Sequence, residues 1–237
     1  MEELEIYIST EEVCQWRKLQ EYIRWFEEKL KITKEFREEL KRQNLLHEGM
    51  AKYFYEELFP LYRLLQHKKQ LWDNIQIKPL IDKQSNFDVE IQKSNFHKDI
   101  PQYIEITQTI FNNDTLQRMH YLINHGQVFT TGKIIKKGSN KNGFASVDVN
   151  NELQECSHAI VNEKSFIEKS IKTKSSRKRP HNTALLVYFD DSVIFAKEDR
   201  IQEMNRFLSD GKAIWRNQFT CFYGVGVSGK YFWEDLS

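Results

Sequence analysis

The sequence predicts an α/β protein with one mixed central β-sheet flanked by helices, an N-terminal helical extension and an inserted β-hairpin. Three observations carry that expectation. Residues 10–72 are dense in Glu, Lys, Gln, Leu and aromatics with a single proline, Pro60, and a single glycine, Gly49, the composition of helices. The middle of the chain switches to short runs in which apolar and polar residues alternate. ALLVYFDD, residues 184–191, is instead a continuous apolar run ending in two acids, which suits a strand covered on both faces.

In chain order, 10–72 reads as two or three helices, with strands at Ile75 to Pro79, Phe87 to Gln92 and Tyr103 to Ile110. Asn113 and Asp114 cap a helix running to about Asn124, which His125-Gly126 ends. VFTTGKIIKKGSNKNGFASVDV, residues 128–149, reads as two strands around a tip of Lys, Gly and Asn: a protruding hairpin. Helices are expected from about Asn162 to Lys174 and from about Asp199 to Leu208, and FTCFYGVGV reads as a final strand. The expected organisation is a helical extension over 1–48 and a core over 49–237 interrupted by the hairpin.

Composition narrows the class. With 40% hydrophobic and 29% charged residues the chain can bury enough apolar surface to fold. Lys+Arg 35 against Asp+Glu 34 leaves a net charge of +1, which excludes a wholesale electrostatic nucleic-acid binder and confines any such site to a local patch. The acidic start MEELEIYISTEE lacks a signal-peptide pattern, and no run approaches the roughly 20 apolar residues of a membrane span, so a cytoplasmic protein with no membrane partner is expected. Three cysteines, Cys14, Cys156 and Cys221, show no C-x-x-C spacing and suggest neither a disulfide framework nor structural zinc.

Two strands carry acids in a suggestive phase. Alternation in FDVEIQ sets Asp88, Glu90 and Gln92 on one face, and in YIEIT it sets Glu105 and Thr107 opposite Ile104 and Ile106. Taken alone these acids read as the solvent face of an amphipathic sheet. If the strands pair, carboxylates meet, and a hard divalent cation held through oxygen relieves their repulsion.

Helical geometry adds two groups. On a 100° wheel through YFYEELFPLYRLL, Glu57 falls inside the apolar arc and Glu56 outside it. In SFIEKSIKTK, Lys174 lies within the arc of Phe166, Ile167 and Ile171, while Lys169 and Lys172 lie outside. A carboxylate or ammonium in an apolar arc needs a partner. An inward lysine beside carboxylates suits charge stabilisation in phosphoryl chemistry; the other reading is a helix already ended before Lys174.

This arrangement resembles the restriction-endonuclease-like, or PD-(D/E)xK, superfamily. The resemblance covers roughly residues 50–195 and rests on Asp88, sixteen intervening residues, Glu105-Ile106-Thr107, a later helix with Lys174, and the strand LLVYFDD. It implies phosphodiester cleavage in DNA, less often RNA, with Mg²⁺ or Mn²⁺ held by Asp88 and Glu105 and by Glu57 from the preceding helix. The pattern departs in two places. Thr107 stands where a lysine is expected, and Phe87 replaces the proline before the first acid. Some branches move the lysine to a following helix, which makes Lys174 the candidate, with Gln108 as a polar assistant.

Two basic clusters in this neutral chain could meet phosphates: Lys133, Lys136, Lys137 and Lys141 on the hairpin, and Arg177, Lys178 and Arg179 after Lys172 and Lys174. They read equally as solvated loops. Other features are set aside: His120 and His125 are badly spaced for one helix face, Asp190 and Asp191 mark a turn, and GVGVSG lacks a phosphate loop's lysine. Two functional readings follow. One is a metal-dependent nuclease, with DNA favoured over RNA, a homodimer fitting double-strand cutting, a targeting or activating partner, and by analogy a role in defence against foreign DNA. The other is a catalytically inactive nucleic-acid-binding or regulatory protein on the same fold.

Overall fold

The computed structural model describes residues 8–35, 49–81, 85–93, 99–109, 134–140, 143–149, 156–191 and 199–236. Helices α1 (Thr10–Val13) and α2 (Leu19–Glu35) flank a two-residue strand, β1 (Arg17–Lys18). Helix α3 (Gly49–Tyr53) passes through a π-helical turn, Phe54–Leu58, into α4 (Phe59–Lys68). Strands β2 (Ile75–Pro79), β3 (Val89–Lys93) and β4 (Tyr103–Gln108) follow. Next come a hairpin, β5 (Ile134–Asn140) and β6 (Gly143–Val149), then α5 (Cys156–Ser175) and β7 (Thr183–Phe189). The chain closes with α6 (Asp199–Asp210), α7 (Lys212–Trp215), β8 (Cys221–Gly226) and β9 (Phe232–Asp235).

The main sheet has seven strands in the order β1-β2-β3-β4-β7-β8-β9, and the hairpin forms a separate two-stranded sheet. It is mixed: β4, β7 and β8 run parallel, and every other pairing is antiparallel. β7 is wholly buried because both its faces are covered. Ala184, Leu186 and Tyr188 join a core with α2, α3 and α4, while Leu185, Val187 and Phe189 join another with Ile167 and Ile171 of α5, Met204 and Leu208 of α6 and Trp215 of α7. The 1–48 stretch contributes directly to the first core: Phe26 of α2 stacks on Phe54 and Tyr62, each 4.7 Å between centroids.

The structure adds three features to the expected order. β1 and β9 extend the sheet at its two edges, and the helix through Glu57 is not regular. Pro60 has no N–H to offer the preceding turn, and the amide of Phe59 bonds to the carbonyl of Phe54, five residues back. The expected helix at 113–124 lies outside the described residues, as do His120 and His125. Among the described residues no helix is long and apolar enough to cross a membrane.

GVGVSG proves structural. The carboxylate of Asp191, fully buried, accepts from the amide of Ser228 (2.9 Å) and from its hydroxyl, fastening the end of β7 to the turn after β8. A Cβ on Gly226 would lie 2.1 Å from Asp191 Oδ2. Gly226→Ala therefore forces Asp191 off Ser228 and lowers unfolding free energy by about 1–3 kcal/mol, measured by urea denaturation; an unchanged midpoint would contradict this packing.

Candidate active site

The site is built around Glu105. Ile104 and Ile106 turn into the first core, so Glu105 between them faces α5, and it is only 4% exposed. A carboxylate so buried needs counter-charge. Two cations supply it through the same oxygen: Lys174 from the last turn of α5 pairs with Glu105 Oε1, and Arg179 Nη2 lies 3.3 Å from it. The inward Lys174 of the helical wheel is thus brought to Glu105, 69 residues away in sequence.

Asp88 immediately precedes β3. Its amide donates to Ile104 O (2.9 Å), its carbonyl accepts from Leu80 N (2.8 Å), and its Oδ2 accepts from Ile106 N at 2.6 Å. The carboxylate thus takes a β4 amide where a partner strand would offer a carbonyl, and Asp88 stands at the mouth of the fork between β3 and β4. The register Val89↔Ile104 puts Asp88 across from Glu105.

Glu57 arrives from the opposite helix layer on the π turn. That turn diverts Phe59 N from Tyr55 O, and Pro60 cannot replace it; Gln108 Nε2 fills the vacancy at 2.7 Å. Gln108 therefore ties the Glu57 segment to β4. Glu56, which a regular helix turns away, also lines the site because the wide turn alters the phase.

Two clefts meet here. One of about 210 Å³ is lined by Glu57, Asp88, Glu105, Lys174, Arg177 and Arg179, among others. The other, of about 310 Å³, is lined by Lys52, Glu56, Glu57, Asp88, Thr107, Gln108 and Lys174, with Ile106. Glu57, Asp88 and Lys174 border both. Thr107, at the place of the expected lysine, contributes no charge.

The carboxyls feel one another. Burial pushes Asp88 up to about 6; Glu105 adds to the rise, while Lys174, the Ile106 amide and Arg179 oppose it. Burial pushes Glu57 up to about 8, reinforced by Asp88 and Glu56 and opposed by Lys174 and Lys52.

Could these residues hold a cation? Among the described residues no three His, Cys, Asp or Glu side chains converge closely enough to cage one. Mg²⁺ does not need a cage, since it commonly keeps several waters and uses one or two carboxylates plus substrate phosphate. Asp88 and Glu57, oxygen donors raised by burial and by neighbouring carboxylates beside one cleft, fit that mode. Glu105, already matched by two cations, fits as a neighbour or third donor.

The basic residues separate. Arg177 and Lys178 are exposed, and Arg177 borders the first cleft. The side chain of Arg179 is buried against Phe219 and Glu105, which nothing in its basic run announced. Lys133 and Lys141 lie outside the described residues, and Lys136 and Lys137 are described only as backbone in β5.

A second buried acid went unsignalled. Glu163 of α5 is 8% exposed and accepts from Thr109 Oγ1 at 2.5 Å. Burial and then the Asp190 charge push it up to about 7, against the Thr109 hydroxyl and a backbone bond at Asp190. Asp190, the residue after β7, therefore sits with Glu163, five residues beyond Leu185, which pairs with Glu105; that is roughly 16 Å from the Glu105 row.

Comparison of the chain with protein-family models, with curated proteins and with solved structures yields no match.

The raised acids dictate a pH dependence. Glu163 keeps its proton in the folded chain from its ordinary 4.5 up to about 7, Asp88 from 3.8 to about 6 and Glu57 from 4.5 to about 8. In those windows the folded state binds more protons than the unfolded one, so these groups make stability fall as pH rises, levelling off above about 8. Glu163→Gln keeps a partner for Thr109 without the charge. Its stability relative to the wild type should improve by roughly 2–3 kcal/mol between pH 4 and pH 8 in denaturant titrations without divalent cations; a constant difference would contradict the assignment.

Proposed function

We propose that the chain is a divalent-cation-dependent nuclease that hydrolyses phosphodiester bonds, with DNA the favoured substrate, on a core like that of the PD-(D/E)xK superfamily. One observation carries the reading: three carboxylates from three separate elements, Glu57, Asp88 and Glu105, and the ammonium of Lys174 from a fourth, border one cleft. Assembling such groups opposes folding unless charge is supplied, and a hydrolytic site for a polyanion supplies it from cation and substrate.

Asp88 and Glu57 would hold Mg²⁺ or Mn²⁺, with Glu105 beside them. Bound there, the cation would act as a Lewis acid on a phosphoryl oxygen and lower the pKa of water. The chain supplies the rest. Asp88, which lines the cleft, is fixed by the Ile106 amide on its Oδ2. Lys174 borders both clefts, so its ammonium can approach a non-bridging phosphoryl oxygen and offset the charge that gathers as water adds and the sugar oxygen departs. Gln108 supports the Glu57 turn through Tyr55 O. Arg177 and Lys178, with Lys136 and Lys137 of the hairpin and the preceding Lys133, would contact flanking phosphates, each contact adding about 0.9 to the salt slope on duplex DNA. Defence against foreign DNA, with a targeting or activating partner and a homodimer for double-strand cutting, fits a nuclease without an evident sequence-reading module.

A second reading has its own support. Glu105 is doubly paired and Thr107 brings no charge, so the site could hold nucleic acid through its basic rim without cutting.

Plasmid and single-stranded substrates separate the two. With Mg²⁺ or Mn²⁺ the wild type should cut, EDTA should stop it, and Asp88→Ala should lose more than about 100-fold in rate while keeping its circular dichroism spectrum. Cleavage by a clean preparation of Asp88→Ala would remove that residue from the mechanism. Salt-sensitive binding without cleavage in any metal would favour the second reading.

A further inference from the structure

Glu105 Oε1 receives two cations that are held very differently. Arg179 is locked: its side chain is 1% exposed, Nη1 donates to the carbonyls of Lys174 and Arg177 (2.8 Å for the latter), and its guanidinium carbon lies 4.7 Å from the Phe219 ring centre. Its Nε and Nη2 are buried and have no hydrogen-bond partner among the described residues, where the charge of Glu105, 3.3 Å from Nη2, compensates them. Lys174 ends a flexible stem on the last turn of α5; its side chain is 23% exposed and borders both clefts.

We propose that Arg179 is the standing counter-ion of Glu105 and Lys174 the exchangeable one, so that Lys174 can leave Glu105 for a substrate phosphoryl oxygen without stranding a buried carboxylate. The identity of Lys174's destination rests on the nuclease reading. Arg179 is then a positioning residue. It holds Glu105 in place, and by holding the carbonyl of Lys174 it caps the helix end that aims the ammonium. The division of labour matches the chemistry of the two side chains. A guanidinium is permanently charged and forks rigidly between acceptors and ring faces, whereas an ammonium on four methylenes swings and re-pairs at little cost. Were Lys174 alone on Glu105, its departure would expose the full desolvation penalty of that acid. Arg177 and Lys178 are exposed, and among the described residues neither forms an ion pair with Glu105.

Kinetics and NMR test the assignment independently. In cleavage assays Arg179→Ala should lose about 10- to 100-fold in kcat with KM nearly unchanged, as expected for a group acting through a ligand's surroundings. Millimolar guanidinium should restore part of that loss and should not restore Lys174→Ala. Wild-type rates in Arg179→Ala, a loss confined to KM with a shallower salt slope, or absence of guanidinium rescue would each overturn the proposal. Wild-type protein titrated with inorganic phosphate in the absence of divalent cations gives the second readout, which needs neither activity nor a folded variant. The Lys174 ammonium resonance should shift while the Arg179 Nε–Hε resonance stays put; movement of Arg179, or of neither, would overturn it. If the wild type cuts nothing in any metal, the nuclease reading fails, and the phosphate titration alone decides whether the two cations have these roles.

Discussion

The buried charge of Glu105 is the constraint around which this molecule is arranged. A carboxylate in the middle of a parallel-paired strand, beneath a helix, is tolerable only with cations at hand. Meeting that demand fixes the last turn of α5 through Lys174, the following loop through Arg179, and the aromatic wall through Phe219. Ile167 and Ile171 pack α5 into one core with Leu185 and Val187, and the ion pairs, together with Glu163 on Thr109, fix its position along the sheet.

The far side of the site depends on a different compensation. Pro60 leaves a gap in the hydrogen bonds of its helix, and a π turn spreads that gap over the segment carrying Glu56 and Glu57. The freed carbonyl of Tyr55 finds Gln108 on β4. An apparent defect thus becomes the joint between the helix layer and the strand that bears Glu105. Tyr22 adds a second tie from α2, its hydroxyl donating to Leu58 O at 3.2 Å, so the N-terminal helix supports the same turn.

Much of this was legible in the sequence, for identifiable reasons. Period-2 alternation places Asp88 and Glu105 correctly because both flank apolar residues committed to one core. The continuous ALLVYF run marks the central strand because both its faces are covered. The wheel finds Lys174 because α5 is regular through its last turn. It ranks Glu57 and Glu56 on a geometry that Pro60 then alters, so Glu56 enters the second cleft unannounced. Arg179 was hidden for a different reason. Local pattern sees a run of Arg177, Lys178 and Arg179, and only the fold reveals that the third turns back onto Phe219 and Glu105 while its neighbours face solvent. Glu163 was equally silent, since its partners Thr109 and Asp190 come from the ends of two other strands.

The position of the lysine on a helix has a consequence for how such a chain can change over generations. A cation on β4 itself would be bound to the strand's own alternation, inherited or lost with it. Here Glu105 is met by Lys174 and Arg179 from a second stretch of chain, and Glu105 and Arg179 are mutually necessary, because removing either leaves buried charge behind. They should be inherited as a set, or discarded as a set for apolar residues, while Thr107 remains at liberty to drift.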